Sequence, residues 1–140
     1  MKFRLLAFAA MLALSLPAFA DPIEARDKLL TLPHADVARL IGSWQVKEME
    51  PIKMIYEFQA GTFAMHGKND QGGSTFEMTL DADYRTAGKD AIWVIGTHPR
   101  PVPEGTDADS PSIIGIEFIA SDQLTMSVGA NERFTLVKVP

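Results

Sequence analysis

The sequence has 140 residues, of which 46% are apolar and 22% charged, and it contains no cysteine. This length and composition are typical of one folded soluble domain and argue against a mainly disordered chain. The absence of cysteine excludes disulfides, thiol nucleophiles and thiolate metal sites. With 13 basic residues against 18 acidic ones, the net charge of −5 does not favour binding to nucleic acid.

The first twenty residues have the layout of a secretory signal peptide. Lys2 and Arg4 precede an apolar stretch over residues 5–16, and Ala18-Phe19-Ala20 matches an A-x-A cleavage site. The stretch is too short to span a bilayer comfortably, and a lipid tether would need a cysteine. We therefore predict that residues 1–20 are cleaved, leaving a periplasmic or secreted protein without a stable membrane anchor. Removing the two basic residues leaves 11 basic and 18 acidic residues, a net charge of −7.

Residues 21–41 are the only part of the mature chain with helix-like spacing. Asp21 can cap a turn that has Pro22 at its first position, and leucines follow at helical intervals. Pro33 interrupts this pattern. A second short helical segment is predicted over residues 34–41, and the glycine that follows is a plausible stop. The sequence thus predicts an N-terminal helical segment over residues 21–41, packed against the closed end of the domain that follows.

From residue 42 onward the apolar residues recur with a period of two, and turn residues separate the runs. Short connections imply antiparallel neighbours, and a series of such strands can close into a barrel without exposed edges. The pattern predicts an all-β domain over residues 42–140, an eight-stranded antiparallel up-and-down barrel. The predicted strands are residues 43–49, 52–58, 62–67, 74–82, 91–97, 112–119, 123–128 and 132–139.

Several motifs in this region resemble those of a known family. Gly42-Ser-Trp44 opens the first predicted strand, while Tyr56-Glu-Phe58 and Gly61-Thr-Phe63 are centred on phenylalanines. A later segment runs from Gly115-Ile-Glu-Phe118 to Asp122-Gln-Leu124-Thr-Met126. Together they resemble the small lipocalin-like (calycin) domains of bacterial exported proteins, a largely uncharacterised family. The resemblance covers residues 40–139 and implies the same eight-stranded barrel.

The resemblance also implies a structural pair at the closed end of the barrel. In such barrels the tryptophan of the G-x-W motif lies inside that end, and a basic side chain of the last strand lies across it. Those positions are Trp44 and Lys138 here. A cation over an indole stabilises a fold by about 0.5–2 kcal/mol. We therefore interpret both residues as structural and place the ligand site elsewhere.

The remaining inward positions predict the contents of the barrel. Aromatic and methionine side chains suit a cavity for a small apolar or amphipathic molecule, although ordinary core filling is the alternative. Cu(I) binding by the methionines is a third reading, but their scatter over separate strands gives no metal motif. His34, His66 and His98 also lack metal-binding spacing, so we expect no metal and no cofactor. The predicted cavity lining is Met54, Tyr56, Met65, Phe76, Met78 and Trp93.

The connector over residues 97–111 supports a rival hypothesis. It is long and proline-rich, strand order places it at the open mouth, and long loops are often functional. Acidic mouth loops would attract a cationic periplasmic protein, such as a lysozyme-like enzyme, and make the domain an inhibitor or immunity-like module. A tolerated insertion and a lid are the other two readings of this connector. The predicted contact residues are Arg100, Glu104, Asp107 and Asp109.

Neither hypothesis requires catalysis. The sequence has no G-x-S-x-G elbow, P-loop or dinucleotide fingerprint. We therefore expect a non-enzymatic exported binding protein as the leading function, with the protein-interaction module as the alternative.

Overall fold

A computed structural model of the chain describes residues 22–49, 52–69, 71, 73–102, 110–128 and 132–140. The predicted signal peptide lies outside the described residues. The described part is mostly β, a closed barrel of eight antiparallel strands with one short α-helix, which confirms the predicted architecture at that level. None of the helices in these ranges has the length and apolar character needed to cross a membrane.

Each strand is hydrogen-bonded to the next along the chain, and the last strand pairs with the first to close the barrel. The strand bounds agree with the sequence pattern to within three residues, except that β4 ends six residues later. The elements are α1 (Pro22–Leu29), β1 (Gly42–Val46), β2 (Lys53–Gln59), β3 (Thr62–Lys68), β4 (Ser74–Gly88), β5 (Ala91–Arg100), β6 (Ser112–Ala120), β7 (Gln123–Val128) and β8 (Glu132–Lys138).

Side chains from every strand fill most of the barrel interior. Because successive residues of a strand point to opposite sides, every second residue contributes to this core. The run over residues 112–118, whose register the sequence left open, resolves as Ile114, Ile116 and Phe118 inward. The buried core from the strands consists of Trp44, Val46, Phe58, Phe63, Met78, Leu80, Tyr84, Ile92, Val94, Ile114, Ile116, Phe118, Leu124, Met126 and Leu136.

The closed end of the barrel is built around a buried tryptophan. The Trp44 indole is inaccessible, and its Nε1 donates a hydrogen bond to the Leu40 carbonyl over 2.9 Å. Lys138 Nζ lies 4.8 Å from the centre of the indole ring and donates to the Ile41 carbonyl over 2.7 Å. Gly42 has φ +128°, and a Cβ there would approach Lys138 Nζ to 2.8 Å. A side chain at residue 42 would therefore strain the backbone and displace the lysine.

The two parts of the N-terminal segment, residues 22–41, pack at different places on the barrel. Helix α1 packs on the outer wall, where Leu29 contacts a second apolar cluster containing Trp93 and Ile95 of β5. The predicted second helix over residues 34–41 is instead a single turn, in which the amides of Leu40 and Ile41 donate to the Val37 carbonyl. This turn lies at the closed end, whereas α1 does not. The prediction that the whole helical segment packs against the closed end was therefore wrong.

Strand β4 runs six residues beyond its predicted end because residues 83–88 pair with residues 91–95 of β5, and the N-terminal segment adds a second partner on the other side. The amide of Ala35 donates to the Tyr84 carbonyl, and the amide of Thr86 donates to the Pro33 carbonyl. The Arg85 guanidinium fixes the same segment by donating to the carbonyls of Leu30 and Leu32. Residues 30–35 thereby hold the end of β4 that extends past β3.

Candidate functional site

The open end of the barrel contains a pocket of about 280 Å³. Phe63 of β3 lines its inner wall and stacks on Phe58 in the core behind it, with ring centres 5.8 Å apart. The other pocket walls come from four further strands and the start of α1. The lining residues are Pro22, Tyr56, Phe63, Met65, Leu80, Pro111, Ser112, Ile113, Ile114 and Val128.

Two hydroxyl groups give this apolar pocket its polar positions. Tyr56 is half-buried at the pocket wall, and its ring stacks on Phe58 with centres 6.2 Å apart. Burial raises the pKa of the Tyr56 hydroxyl, and the charge of Glu132 raises it further. The phenol therefore stays protonated and can both donate and accept a hydrogen bond. Ser112, at the start of β6, supplies the second hydroxyl.

The six side chains predicted to line a cavity occupy different environments. Tyr56 and Met65 line the pocket. Met54 is half-buried and packs against the core, and Met78 is buried within it. Phe76, at the open end of β4, is 39% exposed and does not line the pocket.

Trp93 does not face the barrel interior, which corrects its prediction as cavity lining. Its neighbours Ile92 and Val94 belong to the internal core, so Trp93 points to the outer wall. There it is 4% exposed and packs with Leu29 of α1. The helix thus buries an outer face that would otherwise meet water.

Sequence reasoning missed four inward side chains that line the pocket: Phe63, Leu80, Ile114 and Val128. The alternating pattern already places Phe63, Leu80 and Val128 on the same faces as residues assigned to the interior. The alternating pattern does not show how far along the barrel axis an inward residue lies, so it cannot distinguish pocket-lining residues from residues of the packed core. Ile114 lies in an unbroken apolar run, and only its pairing with Val94 and Val128 shows which side it faces.

The predicted mouth residue Arg100 is part of a charged cluster near the open end. Arg100 Nη1 donates to Asp81 Oδ1 over 3.1 Å, and His98 Nδ1 lies 2.9 Å from Asp81 Oδ2. The hydrogen bonds from His98 and then Arg100 lower the pKa of the Asp81 carboxyl. Residues 97–100 belong to β5, so the connector begins later than predicted. Glu104, Asp107 and Asp109 lie outside the described residues.

A second polar cluster lies on the outer wall. His66 Nε2 is 3.8 Å from Glu57 Oε2, and His66 Nδ1 is 3.4 Å from Glu77 Oε1. Over the described ranges, no group of three or more histidine and acidic side chains is arranged to hold a metal ion. The open-end pocket is therefore the candidate binding site.

Comparison of the chain with protein-family models, with curated proteins and with solved structures found no match.

Proposed function

We propose that this protein is an exported, lipocalin-like binding protein without enzymatic activity. It takes the apolar part of a small amphipathic molecule into the open-end pocket. The observation that carries the proposal is the pocket itself, about 280 Å³ of space between aromatic and aliphatic side chains at one end of a closed barrel. An apolar pocket with a few polar groups is the usual form of a small-molecule site.

The contrast between the two ends of the barrel supports this proposal. At the closed end Trp44 and Leu136 are fully buried, and Leu40 covers them from outside the strands. At the open end Tyr56, Met65 and Val128 are only half-buried. Space of this size equals roughly nine water molecules at about 30 Å³ each. It therefore suits a short alkyl chain or a single ring.

The experiment is a calorimetric titration of the mature protein with 1-octanol. We expect saturable binding to the wild type and at least about tenfold weaker binding to Val128→Phe, whose ring fills the pocket. The control is Ile119→Phe, which adds a ring at a position 58% exposed near the other end of the barrel. Equal octanol binding by Val128→Phe and the wild type, or no binding by either, contradicts the proposal.

The second candidate function is a periplasmic interaction module, favoured by exposed apolar side chains at the open end. Ile52, Phe76 and Val102 are 40%, 39% and 53% exposed and lie where β2 and β4 begin and β5 has ended. Exposed apolar groups beside charged ones are typical of protein contact sites. The partner would be cationic, because the mature chain is acidic.

A pull-down from periplasmic extract tests this candidate. The baits are the wild type and a double variant, Phe76→Ser with Val102→Ser, each at low and high salt. The candidate requires a basic protein that the wild type retains, the variant loses, and salt releases. If both baits recover the same proteins, or neither recovers any, the candidate fails.

A further inference from the structure

The open end carries an acidic residue on an inward-facing strand position. Glu132 precedes Phe134 and Leu136 at intervals of two residues, so it shares the face of β8 that contributes to the core. Its cross-strand partner is Val128, a pocket-lining residue. Directly opposed residues on one face have Cβ atoms about 5 Å apart. Glu132 is itself exposed and does not line the pocket, but this pairing places it beside the pocket wall at the entrance.

The basic residues of the strands near this end lie on the other face, including Arg133, which directly follows Glu132. Lys53 of β2 and Lys68 of β3 lie directly opposite each other. They share a face with Glu57 and His66, which contact each other on the outer wall. Arg100 is paired with Asp81. None of the ten described residues that line the pocket is basic. Among the described residues, the inner side of the entrance therefore carries the negative charge of Glu132 and no basic side chain.

The polar groups around the pocket match the hydrogen-bonding capacity of an ammonium group. An ammonium has three donors and no acceptor, whereas a carboxylate only accepts and a hydroxyl oxygen can accept. The hydroxyls of Tyr56 and Ser112 line the same pocket. Aromatic faces such as those of Tyr56 and Phe63 also attract cations.

We propose that the pocket selects primary amines that carry a short alkyl chain or a single ring. The ammonium group pairs with Glu132 at the entrance, and the apolar part lies against Met65, Leu80 and Ile114. Burial and, to a lesser extent, the Glu132 charge raise the pKa of the Tyr56 hydroxyl, as expected for a carboxylate close to this part of the pocket wall. This inference rests on the proposed function and names its ligand class.

The test compares three ligands that share one alkyl chain, n-octylamine, 1-octanol and octanoate, by calorimetry near neutral pH and at low ionic strength. We expect octylamine to bind the wild type about fivefold tighter than octanol, since an exposed ion pair adds a modest gain. Octanoate should bind more weakly than octanol, because its charge repels Glu132.

Two variants, each of which removes one negative charge, test whether the preference for the amine comes from Glu132. Glu132→Gln should reduce octylamine affinity to that of octanol, with octanol affinity unchanged within about twofold. Glu77→Gln, on the outer wall, should keep the preference for the amine. The inference is overturned if the wild type binds octylamine no tighter than octanol, or if Glu132→Gln keeps the preference for octylamine. In either case, binding of octanol would still support the proposed function. Failure of all three ligands to bind overturns both.

Discussion

A lysine at the closed end connects two parts of the chain that are far apart in sequence. Lys138 Nζ bonds to the Ile41 carbonyl and lies over the Trp44 ring, so it joins the last strand to the turn before the first. The same contact explains why residue 42 is a glycine with positive φ. These two contacts of Lys138 stabilise the end of the barrel opposite the pocket.

Replacing this lysine should weaken the fold without affecting binding. Lys138→Met keeps much of the side-chain volume but loses the hydrogen bond and the cation above the indole. We expect the free energy of unfolding in urea to fall by about 1–2 kcal/mol. The control Lys53→Met, at the open end, should stay within about 0.5 kcal/mol of the wild type. A Lys138→Met variant as stable as the wild type would remove this residue from the structural account.

The Asp81 carboxyl on the outer wall should make the stability of the fold depend on pH in the acid range. Its neighbours His98 and Arg100 lower the pKa of its carboxyl, so the folded state holds the proton less tightly than the unfolded state. Such a group stabilises the fold above its unfolded pKa, about 4, and this contribution is lost as pH falls through the folded value. The stability difference between wild type and Asp81→Asn should therefore shrink as pH is lowered from about 6 to about 3.

A second experiment tests whether the hydrogen bond from His98 is the main cause of the lowered Asp81 pKa. In His98→Ala, NMR titration should show the pKa of Asp81 moved back towards its ordinary value, because the first of its hydrogen bonds is gone. An Asp81 pKa that does not change in this variant would rule out His98 as the main cause.

Helix α1 stabilises the barrel from outside. Leu29 is 4% exposed and contacts the cluster of Trp93 and Ile95. Leu29→Ala should lower the free energy of unfolding by about 2 kcal/mol, since it removes a buried side chain at a helix–sheet contact. Acrylamide should also quench tryptophan fluorescence more strongly, because Trp93 loses its cover. Leu30→Ala, at an exposed neighbouring position, should change neither measurement; equal effects of the two variants would argue against this docking.

The elements show where sequence patterning succeeds and where it fails. Alternation of apolar inward and polar outward residues over most of each strand defines β7 to the residue and β8 to within one residue. The run from Ile92 to Ile95 is apolar throughout, since α1 buries its outer face as the core buries its inner face. Alternation cannot orient such a run, so Trp93 was assigned to the wrong side. The extra length of β4 comes from its pairing with β5 beyond residue 82, where residues 33–35 add hydrogen bonds that have no local sequence signal.

For the whole molecule, the barrel follows from the sequence while the pocket does not. Eight amphipathic runs with short turns leave few alternatives to closure. An eight-stranded barrel can be filled with side chains or hold a ligand, and the choice depends on how far each inward residue reaches. Here Phe58, Phe63 and Leu80 are buried in the core, and Phe63 and Leu80 also line the pocket towards the open end. Glu132 at the entrance could be placed only once its pairing with Val128 was known.

Binding of a small apolar molecule in the open-end pocket can be measured most directly at the methionines. They report on separate depths, since Met65 lines the pocket whereas Met126 is fully buried in the core. Both tryptophans lie outside the pocket lining, so their fluorescence is a poor reporter of binding. In the methyl NMR spectrum of the mature protein, titration with 1-octanol should shift the Met65 signal most and leave Met126 in place. A spectrum in which no methionine signal moves, or in which Met126 moves more than Met65, would contradict the account.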